Sequence, residues 1–280
     1  MLAALIIVFR EVFEAGLIVG IVMAVTATVP GRGWWIGGGV LAGVAGACLV
    51  ALFTGQLSAV FGGAGQELFN AAILGIAVVM LAWHNVWMAQ HGRALAAEMR
   101  AVGEAVVTGS TSLLGLAIVV AVAVLREGVE IVLFLYGIVA AEGGASAAIF
   151  MGGLAGLALG ALICGLTYLG LLKIPSRHLF AVTSVMIAFL AAGMAAQAIG
   201  FLEQANLLGA LDTILWDSSW LLTEHSIPGR ALHTLVGYVA QPTAMQLVVY
   251  LTTLLGILIL MKLFAPAHGA PAAIKARPSA

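Results

Sequence analysis

Two short stretches carry most of the chemistry this chain could do: Arg10-Glu11-Val12-Phe13-Glu14 and Arg126-Glu127-Gly128-Val129-Glu130. In each, two glutamates stand three residues apart, so on a helix both carboxylates fall on one face, one turn apart. The arginine stands four residues before the second glutamate and reaches the same face. Two such helices facing one another would gather four carboxylates and two guanidiniums, a formal charge of −2. In a low dielectric that charge calls for protons or a bound cation. Carboxylate oxygens are hard ligands for hard cations, of which ferric iron is the most highly charged biological case. Paired glutamates on facing helices also build the di-iron sites of helical bundles.

The elements that hold the motifs are apolar. The first motif lies within the run Leu2–Thr28 and the second within Leu113–Ala141. A charged residue in a membrane-length segment costs about 2.5–3.5 kcal/mol on insertion scales and reads by default as functional. A packing role, with each arginine paired to its own glutamates, would account for one Arg–Glu pair per helix and leave a second glutamate in each unexplained. A proton relay is the other functional reading. Glu11, Glu14, Glu127 and Glu130 are therefore the candidate metal ligands, with Arg10 and Arg126 in support.

Composition sets the fold class. Of 280 residues, 63% are hydrophobic and 8% charged, and the net charge is −1. This is an all-α polytopic membrane protein, not a soluble domain or a nucleic-acid binder. The 35 glycines lie mostly inside the apolar runs, as suits closely packed membrane helices. Cys48 and Cys164 lack metal-ligand spacing and read as small buried residues. The first run has no basic region before it and is broken by charge, so it does not read as a removable signal peptide.

Seven spans are expected, at Leu2–Thr28, Trp34–Phe61, Glu67–Met88, Leu113–Ala141, Ala145–Leu172, His178–Phe201 and Thr243–Phe264. Residues 93–112 read as a cytoplasmic amphipathic linker, 205–242 as an outer segment, and 265–280 as a disordered cytoplasmic tail. The loops on one side hold Arg32, Arg93, Arg100, Lys173, Arg177, Lys262, Lys275 and Arg277, and those on the other only Arg230. That asymmetry places the N-terminus outside and the C-terminus in the cytoplasm. The outer side holds Glu67, Glu142, Glu203, Asp212, Asp217 and Glu224. Glu67 and Asp217 are possible entry residues for a cation, although Glu67 at a helix start is equally a favourable dipole contact. His84, inside the third span, reads as a packed, hydrogen-bonded histidine.

The chain repeats. Arg126 follows Arg10 by 116 residues, and Gly39-Val40-Leu41-Ala42-Gly43 recurs as Gly152-Gly153-Leu154-Ala155-Gly156. Residues 1–92 and 113–204 thus form two three-helix units, and because three is odd the second must be inverted in the membrane. Inverted repeats are a transporter architecture, with the site near the midplane between the units.

Two R-E-x-x-E motifs on the first and fourth of seven spans resemble the oxidase-dependent iron permease family, in particular its bacterial EfeU-type members. The likeness covers nearly the whole chain and includes Leu215-Trp216-Asp217-Ser218-Ser219, Gly237-Tyr238, Pro242 and Tyr250. It implies iron uptake across the inner membrane, with the motif glutamates handling the ion and the arginines supporting them. It also implies an extracytoplasmic iron-oxidising or iron-delivering partner, with ferrous iron oxidised and entering as ferric. The family pattern R-E-G-L-E is nearly kept in the second motif but not in the first, where Val12 and Phe13 stand, and Asn70 replaces a second acid at the third span. Iron is then a transported substrate and not a permanently bound cofactor. The protein could also associate into oligomers. The alternatives are a permease for lead or manganese, or a membrane-embedded carboxylate-iron redox enzyme. Against the latter, neither motif has the E-x-x-H spacing of di-iron enzymes.

Overall fold

The computed structural model describes residues 1–60, 66–141, 144, 146–170, 176–209, 211–223 and 226–264. Glu142, Lys173, Glu224 and the 265–280 tail lie outside these residues. The described residues form helices α1 (Leu2–Val25), α2 (Arg32–Val60), α3 (Gln66–Val107), α4 (Leu113–Ala141), α5 (Ala147–Tyr168), α6 (Ser176–Gln204), α7 (Ile227–Val236) and α8 (Ala244–Phe264). Among them the only strand-like pairing is an isolated bridge between Ile214 and Thr243. Stretches of α2, α3, α5, α6 and α8 are long and apolar enough to cross a membrane. Helices α1 and α4, of 24 and 29 residues, are as long but each carries the three charges of its motif. Leu41, Val79, Leu162 and Ile259 are exposed on the outward faces of α2, α3, α5 and α8. Lipid is the solvent that tolerates such apolar faces.

The helices pack in exchanged pairs. Helix α1 lies along α5, and α4 along α2, so each motif helix packs on the second helix of the other unit. Small residues permit this. A Cβ at Gly156 would stand 2.5 Å from the Leu5 carbonyl oxygen and 2.9 Å from the Phe9 nitrogen; one at Gly43 would stand 2.7 Å from the Ala121 oxygen and 2.9 Å from the Leu125 nitrogen. Leu5 and Phe9 precede Ala121 and Leu125 by the same 116 residues that separate the two arginines. The two seams therefore repeat atom for atom.

The missing glycine of the first motif is compensated across the seam. At Gly128 an added Cβ would stand 2.6 Å from the Ala47 Cβ of α2; at Gly160 of α5 it would stand 2.8 Å from a methyl of Val12. The glycine sits on the motif helix in one seam and on its partner in the other, so α1 approaches α5 closely in spite of Val12.

The reading of a separate linker after the third span is corrected by α3, which continues unbroken through 42 residues. The run Ala94-Leu95-Ala96-Ala97-Glu98 consists of strong helix formers, and no proline interrupts it. At 1.5 Å per residue α3 extends about 63 Å, beyond a hydrocarbon core of about 30 Å. Its far half is not free of the bundle. Met99 and Val106 bury against Ile18 and Val22 of α1, and Leu116 and Val120 of α4 complete that cluster. A second cluster joins the start of α1, the near half of α3, and α4, α6 and α8. The motifs lie between the two.

The segment between α6 and α8 folds back on itself. The Leu215 and Ser218 amides donate to the Pro242 and Ala240 carbonyls (3.1 and 2.9 Å), and Tyr238 bonds Ser218 Oγ and the Leu222 carbonyl. The Ser226 hydroxyl caps α7 by accepting from the Gly229 amide at 3.1 Å, and Gly237, at φ 71°, ends it. Gly237 lies against Gly193 of α6. Cys48 is exposed on the outward face of α2, contrary to the expectation of burial, whereas Cys164 is half-buried with its Sγ 3.6 Å from the Phe13 carbonyl.

Candidate metal centre

Helices α1 and α4 cross with their motifs facing each other, and α3 lies against both. Arg10 Nε donates to Glu14 Oε1 at 2.8 Å, and its NH1 lies 3.9 Å from Glu11 Oε1. In α4, Arg126 Nε donates to Glu130 Oε1 at 3.2 Å and lies 3.8 Å from Glu127 Oε1. So each arginine pairs with the second glutamate of its own motif, the i,i+4 partner that helix geometry favours. The first glutamate in each is left less engaged.

One oxygen each of Glu11, Glu127 and Glu130 lies within 4.8 Å of the others. Glu11 thus meets both glutamates of the other motif, as the facing-helix reading expects. Glu11 also forms a group with Glu14 and His84 at the same limit. His84 Nε2 is 3.8 Å from Glu11 Oε2 and 3.6 Å from Glu14 Oε2, while its Nδ1 is in ion-pair contact with Glu130 Oε2. The histidine stands between the motifs: it is packed and bonded, as its sequence position suggests, but its partners are the motif glutamates. It reaches the centre because α3 crosses both motif helices, which its position in sequence does not reveal. Its ring is held edge-on by Phe134, with centroids 6.4 Å apart. Next to it, Asn85 Nδ2 donates to the Ser184 carbonyl at 2.8 Å and ties this part of α3 to α6.

The centre is buried and under-bonded. Arg10, Glu11, Glu14, His84 and Glu127 are all buried. Both oxygens of Glu11, Oε2 of Glu14, Oε2 of Glu127 and Nε2 of His84 have no hydrogen-bond partner. Buried polar atoms are ordinarily paired, and charged ones carry the largest penalty when they are not. Five unpaired ligand-type atoms in one place suit a cation that completes them.

The two halves differ in access. The Arg10 side chain is 1% exposed and that of Arg126 is 40% exposed. Arg126 lies over the Trp87 ring, 4.2 Å from its centre, a cation–π contact. A cavity of about 370 Å³ opens there, lined by Met80, Trp83, His84, Trp87, Arg126 and Glu130. His84 and Glu130 connect it to the buried cluster.

The two suggested entry residues lie elsewhere. Glu67 is exposed in the first turn of α3. Asp217 is exposed in the segment between α6 and α7, where Oδ1 accepts from the Ser219 amide and hydroxyl and Oδ2 from Gln241 Nε2. The Ser219 side-chain bond, the Ser219 amide and Gln241, in that order, hold the Asp217 carboxyl below its ordinary value.

Comparison with known proteins identifies the family. Residues 1–270 match the iron permease FTR1 family. A protein of Escherichia coli O6:H1 named ferrous iron permease EfeU is 32% identical over 263 residues, 92% of this chain and 94% of its own length. Proteins of the same name from Shigella sonnei and Yersinia pestis are also 32% identical, over 97% and 93% of this chain and 99% and 93% of their own. No solved structure matches.

Proposed function

Since the chain belongs to the iron permease FTR1 family, we propose that it carries iron ions across the bacterial inner membrane through the buried cluster of Glu11, Glu14, Glu127 and Glu130. It is a transporter and not an enzyme. The observation that carries the reading is the convergence of both motifs on one buried, under-bonded centre. Arg10 and Arg126 hold the second glutamate of each motif and offset part of the charge.

In this reading α1–α6 and α8 are seven spans, and α1–α3 and α4–α6 are inverted repeats. The matched seams at Gly43 and Gly156 and the exchanged glycine at Gly128 and Gly160 support the repeat. The Lys/Arg asymmetry supports an outer N-terminus and a cytoplasmic C-terminus. With that orientation α4 runs outward, and the cavity beside Arg126 and Trp87 leads from the cluster to the cytoplasm. Glu67 is the acid better disposed to meet an arriving cation, since the oxygens of Asp217 are already engaged.

Iron is cargo here, delivered by an extracytoplasmic iron-oxidising or iron-delivering partner and passed inward as ferric ion. The relatives carry the word ferrous in their names, and one experiment separates the two states. Radio-iron uptake is measured in a strain lacking its other iron importers, with ascorbate and with an oxidant. Uptake that needs the oxidised ion supports ferric entry, and uptake that persists only under reductant supports ferrous entry. No uptake in either condition, with the protein inserted, refutes the iron assignment.

A further inference from the structure

We infer that His84 is itself a ligand of the ion, through Nε2, and that Glu130 acts first as the group that orients it. The inference rests on the glutamate site proposed above and deepens it: it names an unexpected ligand and the class of metal that ligand selects.

The distances distinguish ligation from simple pairing. Nε2 lies 3.6 Å from Glu14 Oε2 and 3.8 Å from Glu11 Oε2. Both are too long for a hydrogen bond, which spans about 2.7–3.2 Å. Metal–nitrogen and metal–oxygen bonds of about 2.0–2.2 Å set neighbouring ligand atoms roughly 3.0–3.6 Å apart in octahedral or tetrahedral sites. Nε2 stands at or just beyond the upper end of that range from both oxygens, and the three groups offer atoms within 4.8 Å of one another. None of the three has another partner, and His84 is 4% exposed.

The other ring nitrogen fixes the tautomer. Nδ1 meets a Glu130 oxygen, and a nitrogen facing a carboxylate carries the proton. With that proton on Nδ1, an ion at Nε2 would take the place of a proton there, between the Glu11 and Glu14 oxygens. A carboxylate on the far N–H of a metal-binding histidine is the usual outer support of such sites; it fixes the ring and makes the ligand nitrogen more basic. Here that carboxylate comes from the other motif. His84 therefore joins the two halves: an ion held by Glu11, Glu14 and His84 is felt at Glu130, and Glu11 also faces Glu127 and Glu130. The shared glutamate gives the ion a short step from one set to the other.

A nitrogen ligand alters selectivity. Oxygen-only sites suit magnesium, calcium and manganese, whereas imidazole favours iron and the later first-row metals. With His84 ligating, the centre separates ferrous iron from manganese better than four carboxylates alone, which distinguish two divalent ions of similar size poorly.

The test uses the full-length protein in lipid nanodiscs, with Fe²⁺ under anaerobic conditions and Mn²⁺ as probes, and bound Co²⁺ as a spin probe. Echo modulation from an imidazole nitrogen is expected on Co²⁺ in the unmodified protein, which needs no variant to fold. His84→Gln should remove that signal and lower the ratio of Fe²⁺ to Mn²⁺ affinity by tenfold or more. Glu130→Gln should weaken Fe²⁺ binding about 10–100-fold while the nitrogen signal persists. Absence of the nitrogen signal in the unmodified protein, or an unchanged iron-to-manganese ratio in His84→Gln, overturns the inference. Glu14→Gln tells the two readings apart. If it still binds Fe²⁺ normally, the glutamate site itself fails; if it loses binding while His84→Gln keeps its selectivity, only the histidine ligand fails.

Discussion

Replacing Glu11 by glutamine gives the sharpest test of the metal centre, because the structure separates its effect on binding from its effect on folding. Glu11 belongs to both ligand groups, is fully buried, and has two oxygens without a hydrogen-bond partner. Its nearest arginine nitrogen is 3.9 Å away, so it contributes little to holding Arg10. Glutamine keeps the shape, removes the charge and supplies an amide that can donate to the carboxylates around it. The empty protein should fold and insert as well as the unmodified one. With an ion bound the change is costly. At an effective dielectric near 20, unit charges 4 Å apart attract by about 4 kcal/mol, and removing one partner of a buried charge pair costs about 3–5 kcal/mol. At about 1.4 kcal/mol per decade, binding should weaken between about a hundredfold and a few thousandfold. The assay is radio-iron uptake per molecule of inserted protein, beside the rise in melting temperature on adding metal. Unmodified protein should show both and Glu11→Gln neither, at unchanged membrane level. Glu14→Gln is the contrast. It also removes the charge from the acceptor of the 2.8 Å bond from Arg10 and weakens that pair, so its membrane level should fall together with uptake. Uptake by Glu11→Gln within threefold of normal would refute the placing of the ion in this cluster.

Three further outcomes follow from the geometry. Arg10→Lys should reduce inserted protein and uptake more than Arg126→Lys, since Arg10 is enclosed whereas Arg126 borders a cavity; quantitative blots with uptake assays compare them, and equal losses would count against the difference in environment. Gly156→Ala drives a Cβ into the Leu5 carbonyl and should cost about 1–3 kcal/mol as overpacking, whereas Gly165→Ala in the same helix meets nothing within 4 Å and should be neutral; thermal stability in detergent checks both. The folded Asp217 carboxyl is depressed, so its contribution is present at neutral pH and above its unfolded value, and is lost as pH falls through the lower, folded value; limited proteolysis of the outer segment should stay slow until below the ordinary carboxylate range, and Asp217→Asn should speed it at neutral pH.

What could be read from sequence was what repeats or what stands out against an apolar background. The motif glutamates met both conditions, and helix geometry alone put each pair on one face. The small-residue faces were legible for the same reason, since Gly39/Gly43 and Gly152/Gly156 recur in register. The close approach at the first motif was not, because the glycine that permits it stands on α5 at Gly160, opposite Val12, and the trade shows only when the seams are laid side by side. The amphipathic character of the linker was legible, but not its continuity with α3 or the burial of Met99 and Val106 on α1.

His84 marks the limit of local reasoning. A lone histidine in an apolar run is more often packed than ligating, and neither motif contains it at a metal-ligand spacing. The signal available was its neighbour: His84-Asn85 is the only adjacent pair of polar side chains inside the third span. Two buried polar residues at that depth need partners, and α3 alone cannot offer two sets. Asn85 finds the Ser184 carbonyl on α6, and His84 finds three glutamates on α1 and α4. The requirement was visible in the sequence but the partners were not, since they come from helices more than 40 residues away on either side. The unequal setting of the two motifs was hidden for a related reason. Near-identical stretches predict near-identical surroundings, yet α3 lays Trp87 beside Arg126 and has no counterpart contact at Arg10 among the described residues. The motifs repeat in sequence, and α3, which lies against both, gives the second one an open side beside Trp87.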